Sequence, residues 1–185
     1  MRKTHLVHAR RHNLEMGRLR AAVGSLVFLA LAPGIIAGLI PWGLTGWQIR
    51  DPIPHWAPVR VIGAVLIAAG LIVLLQAFAR FVIEGIGTPA PIAPPQRLVV
   101  GGLYRYVRNP MYLAVLFVIA GQALALGQLG LLLYAAVVLI AVVSFVRGYE
   151  EPHLEERFGP AYDRYRHAVP GWWPRLRPWH QSPDN

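Results

Sequence analysis

Apolar residues run through this chain of 185 residues in blocks of about twenty or more, which water-soluble folds seldom tolerate and a bilayer requires. The first block, Ala21 to Trp42, carries no charge, and about 22 residues at ~1.5 Å rise cover ~33 Å, enough to cross the hydrocarbon layer. A second runs from Val59 to Ala79, with Arg60 near its start, where a long stem reaches back to the interface, and Arg80 at its exit. Met111 to Val146 is an uncharged stretch of about 36 residues, nearly twice what one crossing needs, interrupted by Gly127, Gln128 and Gly130. The pattern predicts a tight helical hairpin with arms of ~16 to 18 residues, short enough for the tip to sit where the bilayer thins; one long tilted helix is the alternative. The fold class expected is all-α and integral to the membrane: four transmembrane helices, the last two a hairpin, and a cytoplasmic amphipathic C-terminal helix. Three regions follow: a basic tail at 1–20, two transmembrane helices at 21–84, and a Pro-rich loop, hairpin and C-terminal lid at 85–185.

Charge orients this layout. Lys and Arg number 18 against 9 acidic residues. Six lie before the first block, two in the first loop (Arg50, Arg60), four from Arg80 to Arg108, none at the hairpin tip and six from Arg147 onward. Four spans put the three Arg-rich segments in the cytoplasm, so both termini are expected there, in an inner cell membrane. Topology and anionic headgroups account for the net charge of +9, and no nucleic-acid partner is expected. The first twenty residues, six of them basic, resemble the opening of a signal peptide, but the apolar block behind them is too long for a removable one. The absence of cysteine excludes disulfides, thiolate metal sites and cysteine nucleophiles. His5, His8 and His12 share a helical spacing, but a basic tail is the reading preferred and no metal is expected.

Spans without ionisable residues argue against an ion pump or channel and move attention to the cytoplasmic face. Gly85 to Tyr112 and Arg147 to Arg177 converge there, because the hairpin brings its own ends together. The first opens with a stiff, extended strap (Gly85, Gly87, Pro89, Pro91, Pro94, Pro95). It ends at Asn109 and Pro110, an expected N-cap and first helical position. The free amides at that helix start, helped by Arg105 or Arg108, suit an anionic group; a capped span with interfacial Tyr and Arg anchors fits equally. In the second, Glu150 and Glu151 lie three and four residues after Arg147, so they form either a helix-end ion pair with it or a working carboxylate pair. Beyond Pro152, Leu154, Phe158, Tyr162, Tyr165 and Val169 recur at helical spacing, with an interruption at Gly159-Pro160. This predicts an amphipathic helix lying on the membrane, as a lid over the polar pocket or as a peripheral anchor, with Trp172 and Trp173 at headgroup depth.

The order Gly102-Leu-Tyr-Arg-Tyr-Val-Arg-Asn-Pro-Met-Tyr112, an apolar hairpin, Glu150-Glu151, then Phe158-Gly-Pro-Ala-Tyr162-Asp-Arg-Tyr165 and Val169-Pro170 resembles the isoprenylcysteine carboxyl methyltransferase and phospholipid methyltransferase superfamily. The resemblance runs from about Thr88 to Pro174. It implies a membrane methyltransferase that draws S-adenosylmethionine (SAM) from the cytosol and methylates a lipophilic small molecule or lipid. No Rossmann glycine fingerprint follows a predicted strand, which sets the chain apart from soluble SAM enzymes.

By position, the resemblance makes Leu98, Val99, Tyr104, Asn109, Pro110, Met111, Tyr112 and Glu150 the cofactor-binding residues, with Arg147 and Glu151 as catalytic candidates. Asn109 stands where the prenylcysteine enzymes carry His, and Arg147 lies three residues before Glu150 where their substrate-contacting Arg lies four before. The resemblance therefore does not extend to a prenylcysteine carboxylate substrate. Two other readings compete: a non-catalytic membrane scaffold or small-solute transporter, and a membrane reductase that binds NADPH.

Overall fold

A computed structural model describes residues 27, 31–80, 83 and 97–180. The basic tail with its three histidines, the Gly85–Pro95 strap and residues 181–185 lie outside the described residues. Within them the regular elements are helical: α1 (Leu31–Thr45), α2 (Ala57–Arg80), a short 3-10 turn (Gly102–Arg105), α3 (Pro110–Leu126), α4 (Gly130–Phe158) and α5 (Pro160–Ala168). α2 and α4 are long and apolar enough to cross a membrane; α1 and α3 are apolar but shorter. Much of the outer surface matches a lipid environment, since Val61, Val65 and Ile72 of α2 and Leu133, Val137 and Ile140 of α4 are all more than half exposed.

The 36-residue apolar stretch is a hairpin and not a single helix. Gly127 ends α3 in the left-handed region (φ +66°), where its amide bonds back to Ala123 and Leu124. A side chain there would collide with the carbonyl of Arg50. That contact comes from the first loop, which satisfies carbonyls that a helix C-terminus leaves without partners. Trp56 Nε1 donates to the Leu124 carbonyl (2.8 Å), Arg60 Nε to Ala125 (2.9 Å) and the Arg50 amide to Leu126 (2.8 Å). α2 and α3 meet backbone to backbone. Gly63, Gly70 and Gly121 lie at the contact, and a Cβ on Gly121 would approach the Gly63 carbonyl to 2.7 Å. Without a hydrophobic drive between helices in lipid, this close approach supplies the packing.

Two π-turns shape the cavity described below. In α1, Ile35–Leu39 is a π-turn placed just before Pro41. Pro41 has no N–H for the carbonyls a turn earlier, and side chains of the hairpin take them instead: Tyr134 Oη donates to Ile36 (2.8 Å) and Gln122 Nε2 to Ala37 (2.6 Å). In α4, Val146–Glu150 is a second π-turn. The helix expected to begin anew beyond Pro152 is thus continuous from Gly130 to Phe158, because the wider turn ahead of Pro152 absorbs its missing donor. The interruption falls at Gly159 (φ +47°) and Pro160, as the sequence suggests.

α5 does not lay its apolar face on the membrane. Tyr162, Tyr165 and Val169 are buried against Leu98, Val100, Leu154, Phe158 and Trp179. The segment after α5 returns over the pre-hairpin loop. The amides of Arg108 and Asn109 donate to the carbonyls of Pro170 and Gly171, and those of Arg175 and Trp179 to Tyr106 and Arg105. Of the two tryptophans expected at headgroup depth, Trp173 (81 % exposed) is free to reach an interface, whereas Trp172 is half-buried.

Candidate functional site

The start of α3 and the π-turn of α4 lie side by side at the open end of the hairpin. The Tyr112 hydroxyl donates to Glu150 Oε2 at 2.9 Å. Around this bond lies a cavity of about 780 Å³, within the range of small-molecule sites. Its polar end is formed by Arg108, Asn109, Tyr112, Glu150, Glu151 and Tyr162. Leu98, Val99, Tyr104, Pro110 and Met111 complete that wall, so the eight residues expected to hold the cofactor all line one cavity.

Two expectations require correction. Asn109 occupies the N-cap position, with Pro110 behind it, but its side chain makes no capping bond. Its ψ of 52° lies outside the extended region that aims a cap side chain at the helix amides. The residue is buried, and its Nδ2 has no hydrogen-bond partner among the described residues. Arg147 is exposed and does not line the cavity. The one-residue insertion of the π-turn rotates the face by about 100°, which defeats the expected spacing to the two acids. The ion pair falls instead to Arg108, whose Nη1 lies 2.8 Å from Glu151 Oε1.

Arg108 joins three elements. It donates to Glu151, to the Tyr162 hydroxyl (3.0 Å) and, through Nε, to the Val169 carbonyl (3.0 Å). Glu151 also faces Arg166 at 3.6 Å, so both its oxygens are engaged. Below it, the Tyr165 hydroxyl donates to the Tyr104 carbonyl (2.7 Å). Burial pushes the Tyr162 phenol up to about 12, against the lowering effect of Arg108, so it stays protonated near neutrality.

Glu150, beyond the apolar stretch of α4, is held differently from its neighbour. Burial raises its carboxyl above the ordinary value; the Tyr112 bond and Arg108 lower it, and Glu151 adds to the rise. A half-buried carboxylate with a hydroxyl donor, in a cavity also lined by an amide that has no partner among the described residues, is a polar arrangement incomplete in itself. A ligand that carries both a cationic and an acceptor group completes it. Among the described residues no group of three or more His, Asp or Glu is placed to hold a metal ion.

The cavity also has a wall that sequence reasoning missed: Ala32, Pro33 and Ile36 of α1. The one signal in the sequence was Pro41, set within an apolar run and certain to free carbonyls a turn earlier.

Fold and site thus define a helical membrane protein with a cup at one end of its hairpin, polar at the rim and apolar below. A family model described as phospholipid methyltransferase matches residues 59–161, more than half of the chain, and covers α2, the hairpin and the Glu pair. The chain belongs to the phospholipid methyltransferase family, which makes it a membrane methyltransferase. No curated protein and no solved structure matches it.

Proposed function

We propose that the chain transfers a methyl group from SAM, bound in the cup, to a lipophilic acceptor drawn from the bilayer. The observation that carries the reading is the Tyr112–Glu150 bond, which joins the two arms of the hairpin at the cavity wall and holds a half-buried carboxylate there. The donor supplies a methyl on sulfonium: the C–S bond breaks with its electron pair going to sulfur as the acceptor's lone pair forms the new bond to carbon. Such an in-line displacement asks the protein chiefly for positioning and exclusion of water.

In this reading Glu150 offsets the donor's positive charge. Asn109 Nδ2, without a partner among the described residues, donates to its carboxylate or ribose oxygens. Glu151 is a positioning residue and not a base, because both its oxygens already face guanidinium groups. It fixes Arg108, and Arg108 holds α5 and Val169 over the cup. Arg147 has no part in donor binding.

The membrane arrangement proposed is four crossings, formed by α1 to α4, with both termini and the cup on the cytoplasmic side of an inner membrane. The basic segments on either side of the hairpin support it. The 17 residues of α3, at ~1.5 Å each, cover ~26 Å, which suits a thinned bilayer at the tip.

The test incubates purified protein in nanodiscs with methyl-labelled SAM and a lipid extract, then follows label into the lipid fraction. Transfer lost on Glu150→Gln supports the reading. Transfer of label that Glu150→Gln leaves unchanged overturns the placement of the donor, and the appearance of no labelled lipid at all overturns the reaction.

A further inference from the structure

A nucleophile that carries a proton on its attacking atom has to lose it before it can take a methyl. Most groups in the cup that could receive this proton are already committed. Glu151 faces two guanidinium groups at 2.8 and 3.6 Å, Glu150 accepts from Tyr112 and offsets the donor, and burial keeps the Tyr162 and Tyr165 phenols protonated. Of the described histidines, His153 alone lines the cavity.

Both the place and the tautomer of His153 are fixed by α4. It lies three residues after Glu150 on the same helix, a spacing that brings Cβ atoms to about 5–6 Å. Its ring packs on Tyr149 with centroids 4.1 Å apart, Tyr149 stacks on Phe145 at 5.2 Å, and all three line the cavity. His153 Nδ1 lies 2.8 Å from the Tyr149 carbonyl. A carbonyl only accepts, so Nδ1 carries the hydrogen, and in the neutral ring the free lone pair is on Nε2, at the far edge. The residue is exposed, so a proton received there passes on to water.

The neighbouring charges favour an imidazolium. Glu156, three residues further on, also lines the cavity, so His153 has a carboxylate one turn to either side. Arg157, four residues on, holds its guanidinium over the Phe158 ring at 5.8 Å. Across the cavity, Arg108 is bound to Glu151, and Tyr112 keeps its proton in the bond to Glu150. A carboxylate such as Glu156 is a weaker base than imidazole.

We propose that His153 is the proton acceptor of the methyl transfer. The proposal rests on the methyl-transfer reading and requires an acceptor whose nucleophile is protonated near neutrality, an ammonium head. Nε2 takes one N–H proton, and the electron pair left on nitrogen attacks the methyl carbon as the C–S bond breaks toward sulfur. The imidazolium then gives its proton to water. A carboxylate or phosphate head, already ionised, would have no use for this group.

His153→Asn separates a chemical role from a structural one, since the Asn amide can still donate to the Tyr149 carbonyl but has no basic atom. His167 is the control: its Nδ1 makes the same bond, to the Asp163 carbonyl at 2.8 Å, outside the cavity. Initial rates of transfer from methyl-labelled SAM to dioleoyl phosphatidylethanolamine in nanodiscs are measured from pH 6 to 9 for the natural protein, His153→Asn and His167→Asn, with SAM affinity by calorimetry for each. The expected result is transfer by His153→Asn at least tenfold slower at pH 7, narrowing to within threefold at pH 9, where the lipid amine sheds its proton more readily unaided. SAM affinity should stay within twofold, and His167→Asn should follow the natural protein at every pH. A His153→Asn rate equal to the natural one, or lower by the same factor at every pH, overturns the proposal and leaves the methyl-transfer reading standing. So does loss of SAM affinity in His153→Asn, or the same change of profile in His167→Asn. No transfer by natural protein that binds SAM overturns the ammonium head and the proton acceptor with it. No SAM binding by the natural protein removes the methyl-transfer reading as well.

Discussion

Arg108 is the residue whose loss should most clearly separate the lid from the hairpin. Arg108→Ala removes three bonds: to Glu151, to the Tyr162 hydroxyl and to the Val169 carbonyl. It also leaves the Glu151 carboxylate, only 13 % exposed, with Arg166 at 3.6 Å as its remaining charge partner. Breaking a buried pair on one side costs about 3–5 kcal/mol. Some exposure of both partners and the contact from Arg166 reduce this to about 2–4 kcal/mol. That cost falls on the docking of α5, because α2 and α3 are held by glycine contacts elsewhere. At 1.4 kcal/mol per factor of ten, the open population of the lid should rise about 30- to 1000-fold. Amide hydrogen exchange of Pro160–Ala168 reads this directly, with the core amides of α3 as the internal standard. Arg108→Lys keeps the charge without the planar fork and should fall between. Exchange in α5 within threefold of the natural protein would refute the reasoning, as would equal acceleration in α3.

Three further outcomes follow from the same structure. Gly63→Leu forces a side chain into the Gly121 carbonyl and the Ala125 backbone, so it should destabilise the fold by more than the usual ~1–3 kcal/mol of overpacking and lower the melting temperature in detergent; a melting temperature within about a degree of the natural value would contradict the contact. The carboxyl of Glu150 is raised in the folded state, so ligand-free protein should lose stability as pH rises from the ordinary glutamate range through the raised value, and affinity for a cationic donor should climb over the same interval. Melting and SAM titrations between pH 4 and 8 test both signs, and Glu150→Gln should flatten both slopes. Arg147→Ala should leave SAM affinity within twofold by calorimetry, because the side chain is exposed and outside the cavity.

The sequence was most legible where the chain is regular. Glycines at 127 and 130 within an uncharged run announced the hairpin, and the Gly159-Pro160 pair announced the break before α5. The convergence of Tyr112 with Glu150 was legible for the same reason, since a hairpin must return its arms to one level. What the pattern hid was backbone irregularity. A π-turn inserts one residue and rotates everything beyond it, so helical spacing mispaired Arg147 with the acids and could not see that Arg108, some forty residues away, binds Glu151. The inward face of α5 was equally hidden. Amphipathic spacing reports that a face is apolar, not whether lipid or protein covers it, and the returning segment through Trp179 decides for protein.

In the function proposed above, Glu150, held by Tyr112, forms the binding point for a sulfonium donor. Calorimetric titration of the full chain in nanodiscs with SAM, for the natural protein and for Glu150→Gln, tests it most directly. Saturable binding by the natural protein is expected, with at least a tenfold loss of affinity in the variant and the melting temperature of the variant retained. Equal affinity for the two proteins, or no heat of binding from the natural one, would contradict it.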